Sequence, residues 1–113
     1  MNGFDPIIAL NVHVALLKAL EKVKDHSESS KGVAQSLIKA VGRIIFEELE
    51  KSKRTMRENN MWVNESPVQE RRYRYSHFGS SNEYVISNEE LELHFGIVMR
   101  TLQHKIDKFK FLK

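Results

Sequence analysis

The chain has no cysteine, only two prolines, and five glycines that stand singly. Without cysteine it can form no disulfide, no thiolate metal site and no thiolate nucleophile, which agrees with a reducing compartment. Isolated glycines form no phosphate-binding loop. The first apolar run, Ile7 to Leu17, is interrupted by Asn11 and His13, is too short to span a bilayer and has no basic segment before it. We therefore expect a cytoplasmic protein without membrane association.

Catalytic and metal-binding patterns are equally scarce. No serine lies in a nucleophile-elbow motif, and no two of the five histidines lie three or four residues apart as a helical metal pair would. Glu90 and His94 are four residues apart and are the one metal candidate, although such an isolated pair usually forms a surface hydrogen bond. His13 interrupts an apolar face, and a boundary position or a hydrogen bond within the core explains it better than a ligand role. We expect no enzymatic activity, no cofactor, and no catalytic, cofactor-binding or metal-binding residue.

What the sequence does contain is typical of one helical domain spanning residues 1–113. A length of 113 residues, with 41% hydrophobic and 29% charged residues, suits a single globular domain. Three helices are predicted at about residues 5–25, 30–59 and 88–112. Asp5 and Pro6 are typical of a helix start, and Ser87 with Glu90 has the spacing of a capping box. Gly42 indicates either a close helix contact or a break in the second helix, and the uninterrupted apolar periodicity favours one helix.

The first helix is apolar around most of its circumference. A helix on a simple core shows an apolar stripe a little over about 100° wide, and this one is roughly twice as wide. It must contact neighbours on two sides, either as a central helix or at an interface between subunits. Because monomers rarely expose large apolar patches, we expect a homodimer. The predicted interface consists of four leucines: Leu10, Leu16, Leu17 and Leu20.

Residues 69–87, QERRYRYSHFGSSNEYVIS, alternate with a period of two. The alternation predicts a short antiparallel β-hairpin with tyrosines on one face and arginines on the other. Residues 59–67 read as a linker in which Trp62 anchors the hairpin on the helices. The predicted fold is therefore mainly α, a bundle of three long helices with a short antiparallel β-hairpin inserted before the last helix.

Two functions are compatible with this fold. The first is a small non-enzymatic bacterial or phage protein that acts through protein–protein interaction, as an adaptor or regulator. The alternative is a DNA-binding regulator that resembles a winged helix, with GVAQSLIKAV and GRIIFEELEKSKRTMREN as separate helices and residues 70–86 as the wing. The apolar and acidic start of that recognition helix argues against it. In either case the candidate nucleic-acid or partner contacts are Arg71, Arg72, Arg74 and His77.

Overall fold

A computed structural model describes residues 3–29, 31–64, 67–69 and 71–111 of the chain. Its elements are α1 (Pro6–Ser29), α2 (Gly32–Glu58), β1 (Met61–Val63), β2 (Arg72–His77), β3 (Ser80–Val85) and α3 (Asn88–Phe111). The protein is mainly helical, as predicted, with its β-structure before the last helix. The predicted hairpin belongs to a three-stranded antiparallel sheet of order β1-β2-β3. The predicted boundaries at residues 30 and 112 lie outside the described residues.

Both predicted helix starts are formed by side-chain caps. Oδ1 of Asp5 accepts a hydrogen bond from the backbone N–H of Ile7 at 2.9 Å. Oγ of Ser87 accepts one from the backbone N–H of Glu90 at 3.1 Å. Each cap satisfies a donor that the first turn of a helix leaves unpaired. The cap of α1 and the serine half of the capping box of α3 are confirmed, whereas the Glu90 carboxylate accepts hydrogen bonds from Asn11 and Tyr84.

The end of α1 was predicted too early. The helix continues through the polar residues after Asp25 and ends at Ser29, whose hydroxyl donates to the backbone carbonyl of His26 at 3.1 Å. The side chain of Gln35 in α2 donates to the carbonyl of Ser27 at 3.1 Å. These bonds satisfy carbonyls near the end of the helix, which therefore extends through the polar residues to Ser29.

The reversal between α1 and α2 is short. Gly32 has φ 67°, a left-handed conformation that glycine adopts without strain. The residue before α2 is Lys31, whose side chain forms no capping hydrogen bond. α2 runs without a break through Gly42, where an added Cβ would lie 3.3 Å from Cγ1 of Val23. The glycine thus permits a close contact with α1, and the two separate helices of the winged-helix alternative do not exist.

The sheet separates the tyrosines from the arginines. β2 pairs with β1 on one side and β3 on the other, and Tyr73 faces the core while Arg74 faces solvent. The turn between β2 and β3 consists of Phe78 and Gly79, with φ values of 52° and 82°. Positive φ at both central residues is typical of the type I′ turn that matches the twist of a hairpin. The predicted alternation is confirmed, whereas the three-residue strand β1 was missed.

The first half of α1 lies at the centre of the molecule. From Ala9 to Leu20 no residue is exposed, and the helix contacts both α2 and α3. The predicted contact on two sides is therefore confirmed, and a single chain provides it. Beyond Leu20 most residues of α1 are exposed. Residues from the three helices, from β1 and β2, and from the segment after β3 form the core: Leu10, Val14, Ala15, Leu16, Ala19, Ile45, Leu49, Met56, Met61, Tyr73, Ile86, Leu91, Val98 and Leu102.

Two polar side chains are buried with that core and link α1 to its neighbours. Nδ2 of Asn11 donates to Oε2 of Glu90 at 3.1 Å, and the same oxygen accepts from the hydroxyl of Tyr84 at 2.8 Å. Nδ1 of His13 lies 3.3 Å from Oγ of Ser52 in α2. A buried polar group is tolerated when it is hydrogen-bonded, so the prediction of a core hydrogen bond for His13 is confirmed.

Candidate functional site

Two of the four leucines of the predicted dimer interface belong to the core of the single chain, and the other two pack against it. Leu10 and Leu16 are 0% and 5% exposed, and Leu17 and Leu20 are half-buried against the core. Side chains already covered by their own chain have no surface to offer a second copy. Leu10 and Leu16 are therefore removed from the predicted interface, and any self-association must use another surface.

Such a surface exists where α1 is no longer enclosed. Two adjoining cavities of about 180 and 190 Å³ lie between the second half of α1, the first half of α2 and α3. They share Val23, His26 and Val41, so they form one continuous depression, hereafter the groove. Its walls are mainly apolar and include Val23, Leu37, Ile38, Val41, Phe95 and Met99.

The groove is bordered by an apolar ridge at the start of α2. Val33 and Leu37 lie one helical turn apart and are 77% and 52% exposed. Across the groove, Nζ of Lys22 lies 5.0 Å from the ring centroid of Phe95, a cation–π distance. The ridge and the groove together expose apolar surface on three helices. Exposed apolar surface that is continuous in this way is typical of interaction sites.

The solvent-facing side of the sheet is a second candidate surface. Trp62 is 63% exposed because Met61 and Val63 on either side of it turn toward the core. The prediction that Trp62 anchors the sheet on the helices is therefore wrong, since Met61 does so. Trp62 pairs with Ser76, so it shares the outer face with Arg74.

A compact ion-pair cluster occupies the same face. Glu83 accepts from Nη1 of Arg72 at 3.2 Å and from Nη2 of Arg74 at 3.0 Å. The hydrogen bonds from Arg74 and Arg72 hold the pKa of the Glu83 carboxyl below its usual value. One carboxylate pairs with two guanidinium groups, so the cluster keeps a net positive charge.

The four predicted contact residues of the hairpin do not form one surface. Arg72 and Arg74 lie on the outer face, whereas His77 points inward and its ring centroid lies 5.8 Å from that of Phe4. Arg71 precedes β2, and its Nη1 lies 3.5 Å from the carbonyl oxygen of Ile86. Only two of the four therefore accompany Trp62.

In the Glu90–His94 pair, the glutamate is engaged by other residues of the chain. Oε2 of Glu90 already accepts hydrogen bonds from Asn11 and Tyr84. Within residues 3–29, 31–64, 67–69 and 71–111, no three histidine, aspartate or glutamate side chains are placed to hold a metal ion. None of the helices over the same residues is both long and apolar enough to cross a membrane.

Comparison with known proteins identifies no relative. No protein-family model matches the chain, and neither a curated protein nor a solved structure is significantly similar to it. Function is therefore inferred from the groove and from the outer face of the sheet.

The outer-face cluster predicts a specific titration behaviour. The carboxyl of Glu83 should titrate below 4.5, because protonation breaks its bonds to Arg72 and Arg74. Since the folded-state pKa is lowered, the cluster stabilises the fold above the ordinary glutamate pKa, and this contribution is lost as the pH falls through the lowered value. NMR titration of the side-chain carboxyl carbon measures it directly.

The double variant Arg72→Gln/Arg74→Gln should return the Glu83 midpoint toward its ordinary value. Arg71→Gln is the control, because Arg71 has no bond to Glu83 and its loss should leave the midpoint in place. A wild-type midpoint at or above 4.5 would contradict the ion-pair geometry.

Proposed function

We propose that this protein acts by binding other proteins and that it self-associates as a homodimer through the groove. The observation that carries the proposal is the continuous apolar surface formed by the groove and the ridge of Val33 and Leu37. Burying such surface removes apolar atoms from water, which is the main driving force of stable association. The role that fits best is a non-enzymatic adaptor or regulator, and a bacterial or phage origin and a cytoplasmic location remain predictions.

A second copy of the chain suits the groove because each chain carries both a ridge and a depression beside it. A twofold axis brings the ridge of one copy to the groove of the other and repeats the contact, as an isologous interface requires. A standard interface buries about 800 Å² on each partner, roughly a tenth of this chain's 7963 Å². The chain is also extended for its size, with a radius of gyration of 15.3 Å against about 13 Å for a compact domain of similar length.

The dimer hypothesis predicts a mass of twice 13.2 kDa at micromolar concentrations. Leu37→Glu should shift the equilibrium to monomer, because it places a charge in the apolar contact. Sedimentation velocity over a concentration series measures both. Leu93→Glu is the matched control: Leu93 is similarly exposed but lies on the outer side of α3, away from the groove. A wild-type protein of 13.2 kDa throughout the series would refute the dimer.

A second candidate function is binding of single-stranded nucleic acid on the outer face of the sheet. It is favoured by one observation: Trp62 and the two arginines Arg72 and Arg74 are exposed on the same side. An aromatic ring can stack on an unpaired base while guanidinium groups bind phosphate. The pairing of both arginines with Glu83 weakens this candidate, because part of the positive charge is already neutralised.

The nucleic-acid hypothesis predicts that single-stranded oligonucleotides quench tryptophan fluorescence at low salt. Trp62 is the only tryptophan, so the signal reports stacking on this residue. Binding should weaken steeply with added salt and be lost in Arg72→Gln/Arg74→Gln. Unchanged fluorescence at low salt would exclude this candidate and would leave the dimer hypothesis unaffected.

A further inference from the structure

A separate cavity of about 400 Å³ lies between α1, the start of β2 and the start of α3. It shares no lining residue with the groove. Its volume falls within the range of about 300–1,000 Å³ that is typical of small-molecule sites. Its lining is mixed. The apolar residues are Val14, Leu17, Pro67 and Leu91, and the polar or charged residues are Lys18, Glu21, Arg71, Tyr73 and Asn88. Apolar surface beside convergent polar groups is what a small molecule with one charged end would need.

Arg71 is the most unusual residue of this cavity. Its φ of 61° lies in the left-handed region, which a residue with a side chain adopts at an energetic cost. Among the residues that the structure describes, its buried Nε has no hydrogen-bond partner, and its Nη1 reaches the carbonyl of Ile86 only at 3.5 Å. That distance is at the limit of a hydrogen bond. A guanidinium always carries its charge and has five donors, so Arg71 can still bond to a ligand.

The charges around Arg71 favour a negatively charged ligand. Lys18 adds a second cation and Glu21 one anion, so these lining side chains carry a net positive charge. Neither cation has an ion-pair partner among the residues that the structure describes, and Nζ of Lys18 lies 5.5 Å from the ring centroid of Phe95. Asn88 belongs to the first turn of α3, where Glu89 and Glu90 offset the positive end of the helix dipole.

Tyr73 adds a neutral hydrogen-bonding group to the cavity. Burial and the nearby charge of Glu21 raise the pKa of its phenol, so the hydroxyl keeps its proton. A ligand with a charged group at Arg71 would thus meet a hydroxyl donor at Tyr73 and a carboxylate acceptor at Glu21. The apolar part of the ligand would contact Leu17 and Leu91.

We propose that this cavity binds a small organic anion, in which a carboxylate or phosphate group pairs with Arg71 and Lys18 and an apolar body packs on Leu17 and Leu91. Such a ligand would pair with the outer nitrogens of the Arg71 guanidinium, and it gives a reason for an arginine at a left-handed position that suits glycine. The proposal goes beyond protein binding and does not depend on it.

The test is an NMR titration of the isotope-labelled full chain with phenyl phosphate, benzoate and benzylamine at constant ionic strength. Phenyl phosphate or benzoate should cause saturable amide shifts near residues 71, 73 and 88, and the comparison of the two identifies the preferred anionic group. Benzylamine has the same ring with the opposite charge and should cause none. Arg71→Gln should weaken binding at least about tenfold, the loss expected for a charge-assisted hydrogen bond.

Arg74→Gln is the matched control, since it removes the same charge from the outer face of the sheet and should leave the affinity unchanged. Arg71→Gly separates function from folding, because glycine suits the left-handed position. This variant should melt no lower than the wild type and should lose binding. The proposal is overturned if neither anion gives saturable shifts up to about 10 mM, if benzylamine gives the same shifts, or if Arg74→Gln weakens binding as much as Arg71→Gln.

Discussion

The enclosure of the first half of α1 is the constraint on which the rest of the structure depends. Between Ala9 and Leu20 the helix has no exposed side, so α2, α3 and the inner face of the sheet must all pack around it. The apolar residues of this segment supply the hydrophobic free energy. Its two buried polar residues determine how the neighbouring helices pack against it, because Asn11 hydrogen-bonds to Glu90 and His13 to Ser52. The register of the three helices follows from these contacts.

The same constraint locates the surfaces to which function is assigned. Among the residues that the structure describes, those that enclose the first half of α1 do not extend over its second half. Past Leu20 the apolar side chains of three helices therefore border an open groove instead of a core. The sheet, which covers the enclosed half with Met61 and Tyr73, presents Trp62 and its arginines to solvent. The first half of α1 is therefore enclosed by apolar side chains, whereas the second half borders apolar side chains that are exposed.

Much of the fold could be predicted because it is determined by local chemistry. The caps at Asp5 and Ser87 and the alternation of Tyr73 with Arg74 act within a few residues, and each was predicted correctly. The wide apolar circumference of α1 also indicated neighbours on two sides. It could not indicate whether those neighbours belong to the same chain, because periodicity gives the buried face and not the identity of what covers it. Leu10 and Leu16 were assigned to an interface for that reason.

The candidate sites were less accessible to prediction. β1 is only three residues long, too short for an alternating pattern, so Trp62 was expected to be buried as a large aromatic residue. The apolar stripe that α2 buries in the core continues at the same spacing through Val41, Leu37 and Val33. Only the structure shows that Val33 and Leu37 are exposed. Arg71 lay in a run of basic residues, and its left-handed backbone and buried Nε depend on contacts that are distant in sequence.

Native-state hydrogen exchange tests the central role of α1 most directly, since exchange free energies approach the global free energy of unfolding only in the most buried elements. The account predicts that the slowest amides lie in residues 14–19 of α1, and that those of residues 22–28 of the same helix exchange by local opening. If both halves of α1 exchange at the same rate, or if the slowest amides lie only in α3, the enclosed half of α1 is not the centre of the fold.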